Sequence, residues 1–95
     1  MLENQFSNYI EGHVVTKADK GYMTEDGILI CLQESSKKCV ELEKKVVLNG
    51  EELRFAGQIY TDESDPDRLY LVPEGKNGEF AYGSFERLID VFKGL

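Results

Sequence analysis

The first apolar residues of the chain recur with the period of a helix. Leu2, Phe6 and Tyr9 are spaced i, i+4 and i+7, which places their side chains on one side of an α-helix. Gly12 follows the stripe and is positioned to end the helix. This pattern predicts an amphipathic helix over residues 2–11.

A second helical stripe lies near the end of the sequence. Phe85, Leu88 and Phe92 are spaced i, i+3 and i+7, again on one side of a helix. Ser84 precedes the stripe and is a favourable N-cap, because its hydroxyl can accept a hydrogen bond from a backbone N–H of the first turn. Gly94 is predicted to terminate this helix.

Between the two helices the apolar period shortens to two, as is typical of β-strands. The predicted strands span residues 13–16, 21–24, 28–32, 39–48, 53–60, 68–72 and 79–82. Turns are predicted at residues 18–21, 34–37 and 74–78, and a loop at 61–67. The strand at 28–32 is apolar throughout, so we expect both of its faces to be covered.

Asn49-Gly50 is the strongest turn signal in the chain, because both residues tolerate the positive φ of a type I′ hairpin. A two-residue loop here pairs Val46 with Leu53 and places Lys44 opposite Phe55. Lys44 interrupts an otherwise apolar face. The residues expected to point inward are Val40, Leu42, Val46 and Leu48 on one strand and Leu53, Phe55, Gly57 and Ile59 on the other.

These elements predict an α+β fold in a single domain over residues 1–95. The sheet is expected to be mainly antiparallel, with six or seven short strands arranged as a meander or half-barrel. A short N-terminal helix precedes it, and the C-terminal helix is expected to cover one of its faces.

Cys31 and Cys39 are too few for a disulfide scaffold and lack the spacing of a zinc or redox site. We expect two reduced, half-buried thiols. Their relative position depends on the register of the hairpin between them. If paired residue numbers sum to 70, the two cysteines lie opposite each other; if they sum to 71, Cys31 faces Val40 and the thiols point to opposite faces.

Eighteen acidic residues against eleven basic ones give a formal net charge of −7. This balance disfavours binding to nucleic-acid phosphates and to anionic membranes, since both need lysine and arginine. It favours a basic protein partner, although solubility alone accounts for such acidity equally well. The chain lacks a long apolar segment and a secretory signal pattern, so a cytoplasmic location is expected.

The sequence offers little catalytic or metal-binding chemistry. His13 is the single histidine, so no multi-histidine metal site can form, and no nucleophile motif accompanies it. The acidic run at residues 62–67 lacks the central glycine and final glutamate of an EF-hand loop. We expect no enzymatic activity, no cofactor and no metal.

The acids and tyrosines of the sheet are the candidate partner-binding residues. If they act together, an acidic stripe along the wet face of the sheet is expected, with tyrosines and Arg54 as anchors, because tyrosine and arginine are enriched at binding hot spots. The candidates are Asp62, Glu63, Asp65, Asp67, Glu41, Glu43, Glu51, Glu52, Tyr60 and Tyr70.

One segment resembles a known family. The last predicted strand enters the last helix through Phe80-Ala81-Tyr82-Gly83-Ser84-Phe85-Glu86-Arg87-Leu88-Ile89. This segment is similar to the C-terminal end of small acidic bacterial toxin-immunity proteins, including the SUKH type, which is longer and begins differently. The resemblance implies inhibition of a toxin by occlusion of its active surface, and it implies no particular residue.

Three functional hypotheses follow. The first is an immunity or antitoxin-like protein that neutralises a basic toxin nuclease by steric and electrostatic block. The second is a phage-encoded inhibitor or nucleic-acid mimic that acts on a host defence enzyme. The third is a small ligand-binding β-barrel, which a deep apolar pocket containing His13 or a cysteine would favour.

Overall fold

The computed structural model of the chain describes residues 2–34, 38–75 and 80–95. Within these ranges, two helices flank one antiparallel sheet in which each strand pairs with the next along the chain, so the sheet is an open meander. This confirms the predicted α+β class. The elements are α1 (Leu2–Gly12), β1 (Val15–Ala18), β2 (Gly21–Thr24), β3 (Ile28–Gln33), β4 (Cys39–Leu48), β5 (Glu51–Asp62), β6 (Asp65–Pro73), β7 (Ala81–Gly83) and α2 (Phe85–Lys93).

The core lies between one face of the sheet and the two helices. Val40, Ile59 and Leu71 are fully buried and lie in line across β4, β5 and β6. Helix α2 packs on β5, β6 and β7 and begins as predicted, because the Ser84 hydroxyl accepts a hydrogen bond from the Arg87 backbone N–H. Both helices therefore cover the same face of the sheet.

The hairpin between β4 and β5 has the predicted turn and register. Asn49 and Gly50 have φ angles of 52° and 80°, as a type I′ turn requires. Val46 pairs with Leu53, and Lys44 pairs with Phe55. The sequence therefore predicted both the turn and the alignment of the two longest strands.

The predicted face is right at the tip of this hairpin, but the side chains there are not buried. Leu48 is 52% exposed, and Leu53 and Phe55 are each 38% exposed. These side chains lie on the core side of the strands, but the hairpin extends past the end of α2 and nothing in the described chain covers them there. Burial on this side of the hairpin ends at Lys44.

Lys44 is buried on the apolar face, and the end of α2 explains its position. Its Nζ donates hydrogen bonds to the main-chain oxygens of Phe92, Lys93 and Leu95 at 2.9, 3.0 and 2.6 Å. A helix leaves its last carbonyls without partners inside the helix, and the ammonium group supplies three donors to them. Burial lowers the pKa of Lys44.

Several boundaries differ from the prediction. Strands β5 and β6 are longer than predicted, at Glu51–Asp62 and Asp65–Pro73, and β7 spans Ala81–Gly83 rather than 79–82. Strand β1 begins at Val15 rather than at residue 13, because the His13 ring stacks on Tyr9 and its Nδ1 lies 3.0 Å from the Tyr9 carbonyl oxygen. Ala18 belongs to β1 rather than to the following turn. Parts of the turns predicted at 34–37 and 74–78, and residue 79 of the predicted last strand, lie outside the described residues.

Strand β3 is covered on one face only, contrary to the prediction for its continuous apolar run. Ile28 and Ile30 are buried against the helices, whereas Leu29 and Cys31 are half-buried on the opposite face. The physical reason is that no helix packs on that opposite face. Apolar composition alone did not distinguish a strand covered on both faces from one with a single covered face.

The two cysteines follow neither of the registers considered. Paired residues of β3 and β4 sum to 72, so that Cys31 pairs with Glu41 and Gln33 pairs with Cys39. Both thiols therefore lie on the same face of the sheet, in neighbouring residue pairs of that face. They are not joined in a disulfide.

No helix in the described parts of the chain is long and apolar enough to cross a membrane.

Candidate protein-binding face

The face of the sheet opposite the two helices is not covered by any other described element. We call it the open face. Cys31, Glu41, Gln58 and Val72 lie in line across β3, β4, β5 and β6 on this face. It combines charged, amide and aromatic side chains, so it differs in chemistry from the aliphatic face beneath the helices.

Four aromatic rings form a continuous group at one side of the open face. Tyr60 stacks on Tyr70 with ring centroids 5.6 Å apart, and Tyr70 lies 5.7 Å from Tyr82. Phe80 contacts both Tyr70 and Tyr82, at 6.1 and 5.3 Å. The Arg68 guanidinium lies 3.9 Å from the centroid of the Tyr82 ring. We call Tyr60, Tyr70, Phe80 and Tyr82 the aromatic cluster.

The four rings of the aromatic cluster differ in their exposure to solvent. Phe80 is 55% exposed and Tyr82 is 37% exposed, whereas Tyr60 and Tyr70 are half-buried. Burial raises the pKa of Tyr60. The two outer rings are thus available for contact, and both of them pack against Tyr70.

Glu41 and Glu43 lie on the open face, next to the aromatic cluster, and both carboxylates have partners. The Arg54 guanidinium contacts Glu43 at 2.9 Å and lowers the pKa of that carboxyl group. The Gln33 amide donates to Glu41 at 3.1 Å. The negative charge of Glu43 is therefore largely compensated by a neighbouring cation.

Glu51 and Glu52 open β5 and point to opposite faces. Glu51 pairs with Leu48, on the side of the core, whereas Glu52 pairs with Val47 on the open face. Lys45 lies 3.4 Å from Glu52. The open face therefore carries alternating charges rather than the uniform acidic stripe that the sequence suggested.

The predicted acidic loop at residues 61–67 is a tight hairpin. Strand β5 continues to Asp62 and β6 begins at Asp65, so only Glu63 and Ser64 form the turn. The Asp62 carboxylate accepts hydrogen bonds from the backbone N–H and hydroxyl of Ser64 at 2.9 and 2.7 Å, and this lowers its pKa. Asp65 accepts from the Asp67 N–H at 3.1 Å.

The loop prediction was wrong because it assumed that all of these acidic side chains are solvated. Two of them instead accept hydrogen bonds from the turn's own backbone, a local interaction that favours tight turns. The strand pairing also shifts register between Thr61 and Asp62. The alternation of apolar and polar residues in the sequence does not reveal such a shift. We call residues 62–67 the acidic hairpin.

The acidic hairpin adjoins the aromatic cluster. Asp65 and Asp67 line one surface depression together with Arg68 and Tyr82. Within residues 2–34, 38–75 and 80–95, no ion pair involves Asp62, Glu63, Asp65 or Asp67. Gln5 and Ser84 line the same depression, so this negative charge lies where the edge of the open face meets the helix side of the sheet, beside Tyr82 and Arg68.

The structure brings some of the predicted site residues together and separates others. Tyr60, Tyr70, Glu41 and Glu43 share the open face, the acidic hairpin borders it, and Glu51 points to the other side of the sheet. Sequence reasoning missed Phe80, Tyr82 and Arg68. The alternation of β6 puts Arg68 and Tyr70 on one face, but placing Tyr82 beside Tyr70 needs the β6–β7 register, and residues 76–79 gave no such signal.

His13 lies at the junction of the helices, with Nε2 3.8 Å from a carboxylate oxygen of Glu86. Among the residues that the structure describes, no three or more histidine, cysteine, aspartate or glutamate side chains are grouped to hold a metal ion.

In comparisons with known proteins, no family model, no curated protein and no solved structure matches this chain. Its function has therefore to be inferred from its own residues.

Proposed function

We propose that this chain is a non-catalytic binding protein that docks a basic protein against its open face. The aromatic cluster forms the centre of the interface and the acidic hairpin forms its edge. The observation that carries the proposal is that these two features are adjacent, since Tyr82, Asp65 and Asp67 line the same depression.

The aromatic cluster has the properties of an interface centre. Tyrosine supplies a large contact area and a hydroxyl at low cost in side-chain entropy, and tyrosine and arginine are enriched at hot spots. Tyr70 contacts the other three rings of the cluster. The rings are therefore already ordered before a partner arrives, which reduces the entropy lost on binding.

The charge of the molecule supports a basic partner. The formal net charge is −7, and among the described residues the carboxylates of the acidic hairpin form no ion pair. A negative field beside an aromatic centre accelerates the approach of a positively charged surface and disfavours an acidic one. Polyanions such as nucleic acids are disfavoured for the same reason.

In its specific form, the proposal is an immunity protein that acts in the cytoplasm on a basic toxin nuclease. Support comes from the similarity of residues 80–89 to the end of such proteins and from the acidity of the chain. Residues 80–83 of this segment supply Phe80 and Tyr82 to the aromatic cluster. Occlusion of a nucleic-acid-binding surface requires no catalytic group on the inhibitor.

The test uses the purified product of the reading frame next to this chain's own. We expect a stoichiometric complex, loss of that product's nuclease activity in the complex, and an association rate that falls with increasing salt. The double variant Glu63→Lys/Asp67→Lys should slow association about tenfold at low salt. These two side chains are chosen because the hydrogen bonds of the turn use Asp62 and Asp65.

A matched control has the same net charge but alters acids far from the hairpin. Glu11 and Glu25 are exposed, at the end of α1 and in the β2–β3 turn. The variant Glu11→Lys/Glu25→Lys should associate much faster than the hairpin variant. Equal slowing by both variants would show that only net charge matters, and failure to bind or inhibit the neighbouring product would contradict the immunity role.

A further inference from the structure

A cavity of about 180 Å³ opens on the open face beside the aromatic cluster. We call it the Cys31 cavity. It lies over β3, β4 and β5, and Lys20 from the β1–β2 turn forms part of its rim. Its lining residues are Lys20, Leu29, Cys31, Gln33, Glu41, Leu42, Glu43, Ala56, Gly57 and Gln58.

The cavity exists because small residues lie at its centre. Ala56 pairs with Glu43 across β4 and β5, and its methyl group leaves space that a larger side chain would fill. Gly21 has a φ of 139°, and a Cβ at this position would clash with the Ile30 carbonyl oxygen. This close approach of β2 to β3 brings the β1–β2 turn and Lys20 to the rim.

One hydrogen-bond donor of the lining, the Gln33 amide, is engaged within the protein, and so is Arg54 beside the cavity. Gln33 Nε2 directs its hydrogens to Glu41 at 3.1 Å and to the Cys31 sulfur at 3.9 Å, and Arg54 is engaged by Glu43. Carboxylates accept several hydrogen bonds each, so acceptor capacity remains at Glu41, Glu43 and the Gln33 carbonyl. The charged groups of the lining are two carboxylates, Glu41 and Glu43, against the single ammonium group of Lys20.

The electrostatic environment of Cys31 agrees with this count. Its pKa is raised, first by burial and then by the Glu41 carboxylate, and the opposing effect of Lys20 is smaller. The Glu41 carboxylate therefore acts on the thiol more strongly than Lys20 does. A guest rich in donors and positively charged fits such a cavity better than an anion.

We propose that the Cys31 cavity receives one arginine or lysine side chain of the basic partner. The aliphatic stem would lie on Leu29 and Ala56. The cationic group would donate mainly to Glu41, since Arg54 already compensates Glu43. The source of the side chain rests on the proposed function. The cavity itself is a separate claim, because cationic side chains can be tested without any partner protein.

The test is an NMR titration of the whole chain with N-acetyl-arginine amide and N-acetyl-lysine amide. N-acetyl-citrulline amide serves as the uncharged probe of similar shape. We expect saturable shifts of the Gln33 and Gln58 side-chain amides with the arginine or the lysine probe, in the millimolar range, and no saturation with citrulline.

Two variants and one control make the titration specific. Glu41→Gln should weaken binding of the cationic probe roughly tenfold, because a charge-assisted hydrogen bond is lost. Ala56→Val should abolish it by filling the cavity without changing charge, and Glu25→Gln, an acid in the β2–β3 turn, should leave it unchanged. Amide spectra of each variant confirm that it is folded.

Equal binding of citrulline, shifts confined to the acidic hairpin, or no saturable shift would each overturn the cavity proposal. These outcomes are independent of the toxin partner. Binding of the cationic probe without binding of the neighbouring gene product would support the cavity proposal and contradict the immunity role. Inhibition of that product without binding of the probe would support the proposed function and contradict the cavity proposal.

Discussion

Lys44 shows how a single residue joins two distant parts of the chain. Its ammonium group binds main-chain oxygens 48 to 51 positions further along the sequence and lies 5.4 Å from the centroid of the Phe92 ring. The sequence marked this lysine as an interruption of an apolar face. It could not show the reason, because the partners are carbonyl groups, which every residue type carries.

Replacement of Lys44 tests this role. We expect Lys44→Met to lower the free energy of unfolding by about 1–2 kcal/mol, since the carbonyls at the end of α2 lose their buried donor. Lys45→Met, on the exposed side of the same strand, should cost less than about 0.5 kcal/mol because its ion pair is exposed. Urea unfolding measures both, and equal stability of the two variants would contradict the account.

At the scale of elements, the turns and strand registers of the hairpins were the features most predictable from the sequence. Asn49-Gly50 fixed the β4–β5 register because its turn geometry depends on those two residues alone. The helices were also predictable, since their stripes are local. The coverage of β3 and the exposure of the hairpin tip were not, because both depend on where the helices end in space.

The point at which the core ends along β5 can be measured with two truncations. Ile59 is fully buried, so Ile59→Ala should lower the free energy of unfolding by about 3 kcal/mol or more. Leu53 is 38% exposed, so Leu53→Ala should cost about 1 kcal/mol or less, because less apolar surface and no closed cavity are involved. Similar losses in thermal or urea unfolding would show that the hairpin tip is covered.

At the scale of the whole molecule, the placement of both helices on one side defines the candidate interface. The open face is polar and aromatic, and the residues that lie on it were only partly predictable. Tyr60, Tyr70, Glu41 and Glu43 could be assigned to one face from strand alternation. The depression beside Tyr82 and the Cys31 cavity could not be predicted. The depression forms where β6 and β7 meet Gln5 of α1, and the cavity forms over three strands around small residues such as Ala56.

Hydroxyl-radical footprinting of the chain, alone and with the neighbouring gene product, tests the docking face most directly. Mass spectrometry then reads the oxidation of individual aromatic side chains. Binding at the open face should reduce oxidation of Phe80 and Tyr82 several-fold and leave Phe55, on the opposite side of the sheet, unchanged. Protection of Phe55 with full oxidation of Phe80 and Tyr82 would contradict the proposed interface.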